Sequence, residues 1–154
     1  MKLRVLSVGK PRDPEACAMY DRYGDRIVRF GVGFESIWVP EVKSGGRYSD
    51  DHVREREARL LIERLAGQGK VIAVDPGGRG HSSEGLARHL ARWANPAATF
   101  VIGGPLGLHE TLLSRSDATW SLSSLTLPHE LARVLVSEQL YRGLTILRGV
   151  PYHK

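Results

Sequence analysis

The sequence predicts an α/β fold, a mostly parallel sheet flanked by helices, on three observations. Two short runs, Val71–Asp75 and Thr99–Ile102, are apolar on both alternating sets of positions, as strands buried on both faces are. Segments with helical periodicity stand between the apolar runs. Glycine- or serine-rich loops follow the runs, and alternating strands and helices join into parallel pairs.

Leu3, Val5, Leu6 and Val8 make the opening strand, which Gly9 ends. Asp13-Pro14-Glu15 is a helix start, with a capping acid, a proline in the first turn and a second acid. That helix is expected to run to about Phe30, weakened by Gly24 and ended by Gly31 and Gly33. Phe34, Ile37, Trp38 and Val39 make a second strand, and Lys43–Tyr48 a basic loop. Ser49-Asp50-Asp51 caps a helix expected through about Ala66, with Val53, Leu61, Ile62 and Leu65 on its apolar side. Val71–Asp75 is a central strand and Pro76–His81 a loop. Ser82 or Ser83 caps a third helix carrying Leu86, Leu90 and Trp93. Thr99–Ile102 and Ala118–Leu122 are the remaining strands.

The final helix, about His129 to Leu147, is apolar over most of its circumference. Leu131, Val134, Leu135, Val136, Leu140, Tyr141 and Leu144 cannot all face one core. Burial on two sides is expected, with a second subunit as one candidate cover.

The chain has 154 residues, enough for one compact domain spanning residues 1–154. Its 42% hydrophobic and 25% charged residues are ordinary for a globular protein. A net charge of +5 and a pI of about 9.7 favour a polyanionic partner. Cys17 is the lone cysteine, which excludes an internal disulfide and a cysteine metal cluster and fits a reduced cytoplasm. Gly-x-Gly-x-x-Gly and the P-loop pattern are absent, so an ordinary dinucleotide domain or P-loop enzyme is disfavoured. No pair of histidines has metal-ligand spacing, no Gly-x-Ser-x-Gly elbow occurs, and no apolar stretch is a membrane span.

Three expected strand ends carry the chemistry: Val74-Asp75, Ile102-Gly103-Gly104 and Leu122–Pro128. Open α/β sheets bind ligands at the carboxyl edge of the strands. Glycines let backbone groups approach a ligand, and Leu125 and Leu127 supply apolar walls. This suits an adenosine without phosphates, as in S-adenosylmethionine. The bland alternative is a set of strand-end turns.

The segments IGGPLGL and WSLSSLTLPHELARVLVSEQLYR and the terminal PYHK resemble the ribosomal RNA large subunit methyltransferase H family, small knotted methyltransferases of the SPOUT class. The similarity runs from KLRVLSVGK to the final lysine and is densest after residue 99. The resemblance implies an α/β trefoil knot at the C-terminal end and a homodimer. It implies methylation at N3 of a pseudouridine in the helix 69 loop of 23S rRNA in the assembled ribosome. It also implies that S-adenosylmethionine sits against Val74, Gly104, Ser123, Ser124, Leu125, Thr126, Leu127 and Pro128.

With that family in view, Tyr152 and His153 are the expected substrate-handling residues, supported by Arg142 and His129. An imidazole has the intrinsic pKa for proton transfer, and a phenol ring can stack on an extruded base. The bland alternatives are a frayed terminus, a His129 that only shapes its loop, and Arg133 or Arg142 as interface salt-bridge partners of Glu130 or Glu138. Arg22, Arg26, Arg29, Lys43 and Arg47 are candidate RNA contacts. The rival functions are a knotted methyltransferase acting on tRNA and a non-catalytic ribosome- or RNA-binding protein.

Overall fold

Five parallel strands in the order β2-β1-β4-β3-β5 make one sheet in the computed structural model, which describes residues 1–65, 67 and 69–154. The strands are β1 (Lys2–Val8), β2 (Gly33–Val39), β3 (Lys70–Gly80), β4 (Ala97–Ile102) and β5 (Ala118–Ser121). The helices are α1 (Pro14–Arg29), α2 (Asp50–Glu63), α3 (Ser83–Trp93), α4 (Glu110–Leu113) and α5 (His129–Leu147).

Alternation along each strand builds two apolar layers. Leu3 and Val5 of β1, Ile72 of β3 and Phe100 of β4 share one cluster with Ile27 of α1, Leu90 of α3 and Leu140 of α5. Leu6, Val8, Ala73 and Val101 point the other way, into a cluster with Ala58 and Leu61 of α2 and Leu112 of α4. The sheet is therefore covered on both faces, as parallel sheets are.

Local signals explain most boundaries. Asp13 caps α1 by accepting from the N–H groups of Glu15 and Ala16. Gly24 sits inside α1 because a Cβ there would lie 2.9 Å from the Phe34 ring. Ser49 caps α2 and Ser82 caps α3. The expected end of α2 at Ala66 lies outside the described residues.

The segment expected as a loop, Pro76–His81, is instead mostly strand. After an irregularity beyond Val74, Arg79 and Gly80 pair with Trp120 and Ser121 of β5. Glycine makes this possible: a Cβ at Gly78 would lie 2.7 Å from the Thr119 carbonyl carbon. The short helix α4 carries too few residues to show a period. Its cap is His109, whose Nδ1 accepts from the Thr111 N–H.

Helix α5 is buried on two sides, and the chain itself supplies both. It lies between α1 and α3 on the sheet face, with Tyr141 edge-on to Phe30. At Gly143 the α3 side comes close: a Cβ would meet Leu90 Cδ2 at 3.0 Å. Most of the apolar circumference thus needs no second subunit. Leu131 and Leu147 remain exposed.

Candidate active site

The carboxyl ends of β4, β3 and β5 border one cleft. Val74 and Asp75 enter from β3, and Gly103, Gly104 and Gly107 from the turn after β4. Ser123, Leu125, Thr126 and Leu127 enter from the loop after β5, and His129 and Ala132 from the first turns of α5. Six of the eight expected cofactor residues therefore come together: Val74, Gly104, Ser123, Leu125, Thr126 and Leu127. Ser124 and Pro128 do not line the cleft; Pro128 precedes α5 as its N-terminal flank.

The glycines at the cleft are set by packing behind it. A Cβ at Gly103 would lie 2.8 Å from the Gly107 carbonyl carbon, and one at Gly104 would lie 3.1 Å from Val8 Cγ1. Gly107 has φ +84 and donates its N–H to the Gly104 carbonyl, closing the turn tightly.

The loop after β5 is shaped by its serines. Ser121 Oγ donates to the Ser123 carbonyl, and Ser123 Oγ accepts from the Leu125 N–H. The N–H groups of Thr126 and Leu127 make no hydrogen bond among the described residues. Leu125 is 70% exposed, an apolar side chain at the cleft with nothing over it. Leu106 also stands exposed, between Pro105 and Gly107 at the rim.

The C-terminal tail lies elsewhere. Glu138 of α5 accepts from Arg142 Nε at 3.0 Å, from Arg142 NH2 at 2.6 Å and from the Tyr152 hydroxyl at 3.0 Å. The Arg142 guanidinium also lies 4.6 Å from the Tyr152 ring centre. His153 Nε2 contacts Glu84 Oε1 at 2.9 Å, and its Nδ1 faces Arg142 at 3.4 Å. The Glu84 carboxyl is lowered to about 2, first by its own N–H at the start of α3 and then by His153. Burial, with hydrogen bonds to Tyr23 and Glu138, pushes the Tyr152 phenol up, so it stays protonated through neutral pH. The terminus is thus fastened, and Arg142 pairs with Glu138 one turn earlier in its own helix. Arg133 makes neither expected pair; it is buried over the Tyr20 ring and bonds Ser36.

Arg142 stands thirteen positions after His129 in α5, about 20 Å along the axis. Arg142, Tyr152 and His153 do not line the cleft of their own chain.

Glu138→Ala should release the tail and cost about 1–2 kcal/mol, since it removes charge-assisted bonds from a half-buried group. Faster carboxypeptidase digestion from Lys154, with a lower melting temperature, is the expected result. Unchanged digestion would show that Glu138 does not hold the tail.

Comparison with known proteins identifies the fold. A family model described as "Predicted SPOUT methyltransferase" matches residues 1–153. The chain belongs to the SPOUT methyltransferase family. Among curated relatives, Ribosomal RNA large subunit methyltransferase H of Anaeromyxobacter sp. (strain Fw109-5) is 39% identical, with 100% of each chain covered. The protein of that name from Acidiphilium cryptum (strain JF-5) is 40% identical, over 99% of this chain and 94% of the relative. A solved structure, a probable methylase family protein from Haemophilus influenzae Rd KW20, superposes with a TM-score of 0.59 at 13% identity, covering 99% of this chain and 70% of that one. A probable methyltransferase from Bordetella pertussis Tohama I gives 0.54 at 16%, covering 92% and 95%.

One residue of this SPOUT methyltransferase escaped the sequence reading. Glu57 of α2 is only 3% exposed; one oxygen accepts from the Val42 N–H at 3.0 Å and the other has no partner among the described residues. That free oxygen would lie 3.2 Å from a Cβ at Gly104, just behind the cleft. Burial, with a smaller push from Glu41, raises its carboxyl above the usual range. In sequence, Glu57 is one acid among the charges of an amphipathic helix, with no local sign that it turns inward.

A raised folded-state pKa means the buried carboxyl prefers its proton. The penalty on burying its charge is absent below the unfolded carboxylate range, and stability is lost as pH rises through the folded value. Glu57→Gln should therefore gain stability over the natural protein between acid and neutral pH. Melting temperatures at pH 4 and pH 7.5 test this, and a constant difference would show that Glu57 does not titrate on unfolding.

Proposed function

We propose that this protein transfers a methyl group from S-adenosylmethionine to N3 of a pseudouridine in the helix 69 loop of 23S rRNA, in the assembled ribosome. The reading rests on the cleft over β4, β3 and β5, in a chain that aligns end to end with relatives named Ribosomal RNA large subunit methyltransferase H. The whole of residues 1–154 acts as one methyltransferase domain in the cytoplasm.

The residues present fit the cofactor. Free N–H groups at Thr126 and Leu127 are available to an adenine edge, and Leu125, Leu127 and Ile102 give apolar walls. Val74 and Gly104 would bound it on the β3 and β4 sides. When bound, S-adenosylmethionine supplies a methyl group already activated on a sulfonium.

The protein's task is positioning and proton handling. The acceptor nitrogen must lose its proton, and the His153 imidazole is the group assigned to take it. The neutral Tyr152 phenol stacks against or hydrogen-bonds the base, and Arg142 offsets the developing negative charge. His129 shapes the wall next to the methyl donor. Because Arg142, Tyr152 and His153 do not line the cleft of their own chain, the complete site belongs to a homodimer in which one chain's tail reaches its partner's cleft. Exposed Leu106, Leu125 and Leu131 at or beside the cleft favour an apolar contact there. The trefoil knot, with the last helix threaded through a loop, is part of the same reading.

The test is incubation with labelled S-adenosylmethionine and assembled ribosomes lacking the modification, followed by mapping of the label. Label on the helix 69 pseudouridine is expected. Label on tRNA in a parallel reaction, with none on ribosomes, would overturn the substrate; no transfer to either would favour a non-catalytic RNA binder.

A further inference from the structure

A second depression lies on the same sheet edge, over the ends of β1 and β2. Lys10 follows β1, Trp38 is near the end of β2, and Lys43 follows in the next loop. Arg12, Glu41, Glu130 and His129 also line it. His129 also lines the cleft over β4, β3 and β5, so one ring separates the two depressions.

We propose that this depression seats the RNA strand bearing the methyl acceptor: a base stacks on Trp38, and the adjoining phosphates lie on Lys10, Arg12 and Lys43. This rests on the methyltransferase reading above and adds where the acceptor strand enters.

Three observations carry it. The Trp38 indole is 43% exposed and, among the described residues, makes no ring or cation contact. An uncovered aromatic face among cations is what single-stranded nucleic acid binds, because every base offers a face to stack.

The cations outnumber the acids of the wall, Lys10, Arg12 and Lys43 against Glu41 and Glu130, and the Glu130 carboxylate is turned to backbone N–H groups. Glu130 Oε1 accepts from the Arg12 N–H at 2.5 Å and the Asp13 N–H at 3.0 Å, which holds its carboxyl below the usual range. Asp13 caps α1. Lys10, Arg12 and Lys43 form no ion pair among the described residues, and Glu41 is the remaining carboxylate in the wall.

The third observation is adjacency. Gly9, with φ +87, turns the chain after β1, and a Cβ there would lie 3.6 Å from His129 Nε2. The His129 ring nitrogens make no hydrogen bond among the described residues. A base extruded from a strand held over β1 and β2 would thus meet an unengaged imidazole at the border of the donor cleft. Donor and acceptor would divide one sheet edge, with β4, β3 and β5 serving the first and β1 and β2 the second.

The test uses the full chain with two probes, a labelled RNA hairpin with a uridine-rich loop and assembled ribosomes, over a range of salt. Trp38→Ala should weaken binding about 10-fold, and Trp38→Phe should restore most of it. The triple variant Lys10→Gln, Arg12→Gln, Lys43→Gln should flatten the salt dependence by about 2 in slope. Binding of S-adenosylmethionine should be unchanged in all three. Wild-type affinity and slope in both Trp38→Ala and the triple variant, or binding of neither probe by the natural protein, would overturn the proposal. Methyl transfer at the natural rate by both variants would sink this acceptor seat and leave the enzyme reading standing. Binding of RNA through Trp38 without any methyl transfer would do the reverse.

Discussion

Deletion of Tyr152, His153 and Lys154 is expected to abolish methyl transfer, by at least about 100-fold, the range lost with a positioned acid–base group. Binding of S-adenosylmethionine should survive, because none of the three residues lines the cleft over β4, β3 and β5. The fold should survive too: the tail's bonds run to Glu138 and Glu84, at the edge of the core rather than within it. Transfer of label to ribosomes, calorimetric titration with the cofactor and a melting curve separate the three outcomes. His153→Ala and Tyr152→Phe, measured alongside, divide the effect between imidazole and phenol. Full activity in the truncated chain would remove the tail from the mechanism.

Gly103→Ala carries the second large effect, and its cause is steric rather than chemical. The added methyl would lie 2.8 Å from the Gly107 carbonyl carbon, a backbone atom that no rotamer change can move. Relief requires opening of the turn from Gly103 to Leu108, which forms one wall of the cleft. Overpacking of this kind costs about 1–3 kcal/mol of stability, and cofactor affinity should fall at least about 10-fold. Gly104→Ala is the milder comparison, since the side chains of Val8 and Glu57 are its nearest neighbours, at 3.1 and 3.2 Å. Equal cofactor affinity in Gly103→Ala and the natural protein would show that the cleft tolerates a displaced turn.

Helix α5 shows how far the sequence could be read. Its ends at His129 and Leu147 are as expected, because Pro128 cannot extend a helix backwards and Gly149 follows its end. Its burial on two sides was also legible from Leu140, Tyr141 and Leu144. The identity of the cover was not, since a pattern of apolar positions says how much is buried and not by what. The same limit applies to Pro76–His81: glycines read as a turn, while the approach of Thr119 to Gly78 that makes them strand is a tertiary fact. At the site, the strand-end loops announced the cleft. The separation of His129 from Arg142 by most of a helix needed only the count of residues between them. Glu57 and the Trp38 depression depended on which way side chains turn and on which acids are already engaged, and neither is written locally.

The strand order has a consequence for synthesis. Strand β1, made first, pairs with β4, and β3 pairs with β5. A ribosome that has translated as far as β3 has produced strands whose partners do not yet exist. Every wall of the cleft beyond Val74, Asp75 and Pro76 comes from residue 102 onward, and α5, which covers the sheet between α1 and α3, comes last. Nascent chains shorter than this expose unpaired strand edges and an uncovered apolar face, the features proteases and chaperones engage. Termination before α5 therefore yields no partly active enzyme, only fragments marked for removal.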